Sequence, residues 1–189
     1  MNKGYWGKRS WMIYYRYLDL IVRGVAGNCR SLIDVGSHNT SVIEAFNWIE
    51  DLVALDIRAP HSSERVRGIE MDFFQFQPEK RFDMAMCCEV LEHIPDAGAF
   101  AKHLFDVADR VLISVPYKWP KGSSKQHIHD PVDLKKLTKW TGRDPAYHIV
   151  VEEPLCRSGK CRRLIAYYPA KDDDFQLKAA RDAIRLSAG

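Results

Sequence analysis

Residues 82–96 read FDMAMCCEVLEHIPD. The first seven, Phe82–Cys88, form a short apolar run too brief for a core helix, which predicts a strand covered on both faces. Asp96 then stands where a side chain can cap a helix, and Phe100, Leu104 and Val107 follow at the spacing of one helical face. Between strand and helix lie two carboxylates and a histidine: Glu89, Glu92 and His93. In a covered parallel sheet, ligands bind beyond the C-terminal strand ends.

The same alternation extends in both directions. Upstream, Tyr14, Tyr17, Leu18, Ile21 and Val25 recur at helical spacing, so residues 9–26 are predicted as an amphipathic helix ended by Gly27-Asn28. SLIDVG (31–36), LVALDI (52–57) and Arg67–Met71 are three further strands. Ser41 and Glu44 have capping-box spacing ahead of a helix reaching about Trp48. Downstream, VLISVP (111–116) is the fifth strand. Asp130-Pro131-Val132-Asp133 then reads as a helix start, with Asp130 at the N-cap and Pro131 in the first turn, and Gly142 ends that helix. Tyr147–Glu153 and Arg162–Tyr168 are joined too closely for a parallel crossover and are predicted to pair antiparallel. The expected architecture is a Rossmann-like α/β three-layer sandwich: a seven-stranded, mostly parallel sheet with a C-terminal antiparallel hairpin. Residues 1–170 make one domain, with 1–28 as an N-terminal cap helix, 117–130 as a long loop and 171–189 as a charged tail.

Composition limits the function. The chain has 189 residues, 46% hydrophobic and 28% charged, with a formal net charge of +3. That balance suits a soluble domain and is too weakly basic for a dedicated duplex binder, although basic residues gather at Lys3–Arg16, Lys118–Lys125 and Arg157–Arg163. No apolar run approaches a membrane span, and the basic, aromatic N-terminus lacks the pattern of a signal peptide, so a cytoplasmic protein is expected. Five cysteines, an odd number, argue in such a compartment against a disulfide framework, though Cys156 and Cys161 flank a turn and can approach each other.

Four strand ends carry the polar residues that chemistry needs. Asp34-Val35-Gly36-Ser37 ends the first strand, and the glycine permits a tight turn beside a ligand. Asp56 ends the second strand 22 residues later, a spacing at which an acid can accept from both hydroxyls of a ribose. Asp72 follows the third strand, with Phe73 or Phe74 able to pack an aromatic ring. Cys87–Asp96 crosses the centre of the cleft.

DVGS, ALDI, MDFF and FDMAMCCEVLEHIPD, in this order and spacing, resemble class I S-adenosylmethionine-dependent methyltransferases, in the small-molecule subgroup with a VLEH segment after the fourth strand. The likeness covers about residues 31–140. It implies S-adenosyl-L-methionine as cofactor, with Asp34, Gly36 and Ser37 near its methionine part, Asp56 and Ile57 at the ribose and Asp72 and Phe73 at the adenine. Glu89 would lie under the methionine end, facing the acceptor, and Cys88 and His93 are further expected cofactor contacts. One departure stands out: the family's loop usually reads D-x-G-x-G-x-G, whereas His38 and Thr40 replace two glycines here.

Simpler readings accompany each assignment. A lone aspartate is commonly a helix cap, and Glu92 and His93 can satisfy backbone groups at their turn. The 117–130 loop, YKWPKGSSKQHIHD, is the expected acceptor lid, with His127 or His129 as general base, Glu89 next in line, and its lysines meeting a negative substrate. No metal site is expected, because no carboxylate cluster in the sequence accompanies His127 and His129. The expected reaction is methyl transfer to O or N of a small polar or anionic molecule. That expectation includes a small-molecule acceptor and no membrane or nucleic-acid partner, and leaves room for a homodimer. The competing readings are an RNA or protein methyltransferase, a non-catalytic cofactor binder, and a nicotinamide enzyme; the last is disfavoured by the incomplete G-x-G-x-x-G.

Overall fold

Parallel strands whose side chains alternate between two apolar layers organise the molecule. The computed structural model describes residues 4–187; Lys3, at the head of the N-terminal basic cluster, and the last two residues of the tail lie outside them. The strands are β1 (Ser31–Val35), β2 (Asp51–Asp56), β3 (Val66–Glu70), β4 (Phe82–Cys88), β5 (Ala108–Pro116), β6 (Tyr147–Glu152) and β7 (Arg162–Tyr168). The helices are α1 (Ile13–Val25), α2 (Ala97–Val107), α3 (Leu134–Thr141) and α4 (Leu177–Ser187). One sheet runs β3-β2-β1-β4-β5-β7-β6, parallel from β3 to β5, with β7 antiparallel to both β5 and β6. This is the expected seven-stranded sheet with its terminal hairpin.

Ile33, Val35, Val53, Leu55, Ala85 and Cys87 point to the layer containing α2 and Leu137 of α3. Leu32, Leu52, Ala54, Met84 and Met86 point to the layer containing α1. Burial on both faces explains why these strands read as unbroken apolar runs rather than alternating ones. In α1, Tyr14, Leu18, Ile21 and Val22 are buried, the i, i+4, i+7, i+8 stripe of a core-facing helix. Burying a side chain of this size stabilises by roughly 1.5–3 kcal/mol.

Four local expectations are corrected. The helix expected at 9–26 begins only at Ile13, after a separate 3₁₀ turn at Trp6–Lys8. Its start is fixed from a distance: the Glu153 carboxylate accepts from the N–H groups of Ile13 (3.0 Å) and Tyr14 (3.1 Å). After β1, Ser41 and Glu44 form no capping box, and the expected helix is a single 3₁₀ turn, Val42–Ala45. Glu44 instead binds His61 Nε2 at 2.9 Å.

Asp130 does not cap α3. Val132 pairs with Tyr117 in an isolated bridge before the helix begins, and Lys118 N–H donates to the Val132 carbonyl at 2.7 Å. The cap is Asp133, which accepts from Lys136 N–H at 2.9 Å. Finally, although the odd cysteine count argued against a disulfide framework, Cys156 and Cys161, which flank the β6–β7 turn, are joined by a disulfide with Cα atoms 5.8 Å apart. Among the described residues no helix is long and apolar enough to cross a membrane.

Candidate active site

β1 and β4 lie side by side at the centre of the sheet, and the strand order reverses direction between them. Their C-terminal ends, with that of β2, open into a cavity of about 510 Å³, a size usual for small-molecule sites. β1 contributes Asp34 and its following turn Gly36, Ser37, His38 and Thr40; β2 contributes Asp56, Ile57 and Arg58; β4 contributes Cys88, Glu89, Val90 and His93. Eight of the ten expected cofactor-contact residues therefore share one wall: Asp34, Gly36, Ser37, Asp56, Ile57, Cys88, Glu89 and His93.

The turn after β1 makes the departure from the glycine pattern intelligible. Gly36 has φ +79°, and a Cβ there would stand 2.4 Å from Val90 Cγ2. His38 (φ 40°) and Asn39 (φ 55°) take up left-handed backbone themselves. Two contacts hold His38 in that conformation. Its N–H donates to Asp56 Oδ2 at 3.0 Å, and its ring meets the edge of Tyr5 at 4.6 Å. Asp56 Oδ1 accepts from the N–H groups of Arg58 (2.9 Å) and Ala59 (3.1 Å). The carboxylate at the end of β2 thus ties two loops together while still bordering the cavity.

Asp34 is buried on the cavity wall, and burial followed by the Asp56 charge pushes its carboxyl up to about 7. Glu89, also in left-handed backbone (φ 58°), accepts from Arg163 Nε at 3.0 Å. Burial raises its carboxyl while Arg163 opposes the rise. Strained backbone at a wall carboxylate is a recurrent feature of functional sites. Burial also raises the Cys88 thiol, keeping it a neutral wall group.

Asp72 and Phe73 stand elsewhere. Asp72 accepts from Phe74 N–H at 3.0 Å and caps the 3₁₀ turn after β3; Phe73 is buried in the core against Phe100 and His103. The loop histidines do not line the cavity either. His129 Nε2 meets the Ile94 carbonyl at 2.8 Å, and its ring packs on Trp140. His127 stacks on Trp119, with Nδ1 2.8 Å from Asp130 Oδ2. The expectation that no carboxylate stands near these histidines is overturned: Asp130 and Glu92 both flank His127. Of the loop, Gln126 reaches the cavity, whereas Lys118, Lys121 and Lys125 do not.

Sequence reasoning missed the cavity's other side. Tyr5, Tyr14 and Tyr15 line it from the N-terminal segment and α1, and the Tyr14 hydroxyl bonds that of Ser114 on β5. Arg163, which positions Glu89, arrives on the antiparallel strand β7. The adjacent tyrosines near the helix start were the available signal, because only one of two neighbours can face the core.

A family model described as a methyltransferase domain matches residues 10–153. The chain belongs to this methyltransferase-domain family, and its fold is that of the S-adenosylmethionine-dependent class I enzymes. Similar solved structures include the 1,6-didemethyltoxoflavin-N1-methyltransferase of Burkholderia thailandensis, with S-adenosylhomocysteine and 1,6-didemethyltoxoflavin bound. It is 21% identical, with a TM-score of 0.67 over 88% of this chain and 83% of that one. The N-methyltransferase NodS from Bradyrhizobium japonicum, in complex with S-adenosyl-L-homocysteine, is 12% identical, with a TM-score of 0.65 over 84% and 87%. The magnesium protoporphyrin IX methyltransferase of Synechocystis, also with S-adenosylhomocysteine bound, is 16% identical, with a TM-score of 0.58 over 83% and 84%. Among curated protein sequences, none matches this chain.

Proposed function

We propose that the cavity binds S-adenosylmethionine and that the protein transfers its methyl group to O or N of a small polar molecule. The observation that carries this reading is the convergence of Asp34, Gly36, Asp56 and Glu89, from three parallel strand ends, on one cavity at the sheet's switch point. The cofactor supplies an activated methyl group, and the protein's task is alignment and, where needed, removal of a proton. Asp56 would accept from the ribose, and Asp34 would face the cationic methionine end. Gly36 leaves backbone room for close approach. Asp72 is given no adenine contact, because it does not line the cavity.

The acceptor would meet Tyr5, Tyr15, Gln126 and Glu89. That wall is polar but not cationic, so a polar acceptor fits it better than one recognised by the loop lysines. Glu89 is the wall group suited to take a proton, since Arg163 stabilises its charged form. The 117–130 loop closes one side through Gln126 rather than through its histidines. A macromolecular acceptor is the second reading, supported only by the basic clusters.

Calorimetry with S-adenosylhomocysteine is the test. One molecule should bind per chain, and Asp56→Ala should weaken binding by about 1.5–3 kcal/mol, the value of hydrogen bonds to a charged group. Equal affinity in wild type and variant would reject the ribose assignment.

A further inference from the structure

At the edge of the cavity, beneath the turn after β4, Glu92 is buried to 1% exposure and neither carboxylate oxygen has a hydrogen-bond partner. Two imidazoles turn toward it. His93 Nε2 lies 3.8 Å and His127 Nε2 4.0 Å from Glu92 Oε1. Neither distance is a hydrogen bond. The other nitrogen of each ring is occupied by an acceptor: His93 Nδ1 meets the Gln126 carbonyl at 3.0 Å, and His127 Nδ1 meets the Asp130 carboxylate at 2.8 Å. Each neutral ring therefore carries its proton on Nδ1 and aims an Nε2 lone pair at Glu92. Three potential ligand atoms, one from each side chain, lie within 4.8 Å of one another.

We propose that Glu92, His93 and His127 bind a divalent first-row metal ion of the Mn2+, Co2+ or Zn2+ kind. Two imidazoles with one carboxylate suit such ions better than Ca2+ or Mg2+, which favour all-oxygen sets. Metal bonds of about 2.0–2.2 Å would draw the three ligands together by roughly an ångström. The hydrogen bonds to Gln126 and Asp130 are the outer partners that orient metal-binding histidines. Burial and the nearby Glu89 and Asp130 oppose negative charge on Glu92, so its ionised form needs a positive partner; the Arg163 guanidinium is committed to Glu89. Three protein ligands leave coordination positions open. His93 and Gln126 belong to the cavity wall, so an open position there can take an oxygen or nitrogen of a molecule in the cavity. The ion site does not depend on the methyltransferase reading.

The test uses the full chain without an affinity tag, stripped with EDTA and titrated with Co2+ under equilibrium dialysis and visible absorption. One Co2+ should bind per chain with a d–d band. Affinity should fall at least tenfold in Glu92→Gln, in His127→Ala and in His93→Ala, the last at a partly exposed position where folding is least at risk. Bound Co2+ should raise the melting temperature of the wild type only. Absence of stoichiometric uptake by folded wild type overturns the proposal, as does equal uptake by all three variants. S-adenosylhomocysteine binding, measured on the same samples, reports separately on the cofactor reading.

Discussion

Replacing Gly36 by alanine tests how tightly the turn after β1 is built. The residue has φ +79°, and the new Cβ would lie 2.4 Å from Val90 Cγ2 and 3.2 Å from Cγ1. A left-handed conformation costs an L-residue roughly 1–2 kcal/mol. Forcing a methyl into occupied space adds about 1–3 kcal/mol, because a β-branched valine has few alternative rotamers. A loss of roughly 2–5 kcal/mol in urea denaturation is therefore expected. Val90→Ala in the Gly36→Ala background should return the overlap part and leave the backbone part. A double-mutant cycle separates the two. S-adenosylhomocysteine affinity should fall as well, since Gly36 N–H anchors the turn to the Leu55 carbonyl at 2.7 Å. A Gly36→Ala variant within 0.5 kcal/mol of wild type, or a double variant without recovery, would refute the steric argument.

Two further outcomes follow from the structure. With its carboxyl raised to about 7, Asp34 is protonated in the free protein below that pH, whereas a cationic ligand favours the ionised form. Cofactor affinity should be level above pH 7 and fall by up to tenfold per unit below it, with proton release visible as buffer-dependent binding heat; a flat profile between pH 5.5 and 8 would remove Asp34 from the ammonium site. Glu153→Ala should cost about 1–2 kcal/mol by uncapping α1, and lower the melting temperature by roughly 2–8 °C; no change would mean that water replaces the lost cap.

The sequence alone determined the sheet and most of one cavity wall. Runs such as FDMAMCC and LVALDI are apolar but for one aspartate each because both faces of each strand are covered, and that pattern is local. Asp34, Asp56 and Glu89 were legible because a strand end places its next polar residue at the sheet's edge, wherever the rest of the chain goes. The short β6–β7 turn likewise left only an antiparallel pairing.

Other features depended on contacts between residues far apart in the chain. Ser41 and Glu44 matched a helix cap, but the segment forms only a 3₁₀ turn and Glu44 pairs with His61 instead. Asp130 matched a cap too, yet the chain pairs at Val132 with Tyr117 before the helix starts, and the Asp130 carboxylate meets His127. Asp72 had the position of an adenine contact, but its carboxylate caps its own turn. Tyr5 and Tyr15 reach the cavity, and Arg163 reaches Glu89, from an N-terminal segment, a helix and an antiparallel strand whose placement no local pattern encodes. Glu92, His93 and His127 converge for the same reason: 34 residues separate the two histidines, and only the packing of the 117–130 loop against the turn after β4 brings their lone pairs to one point. Spacing in sequence fixes direction along one element, whereas distance between elements is set by how their side chains pack.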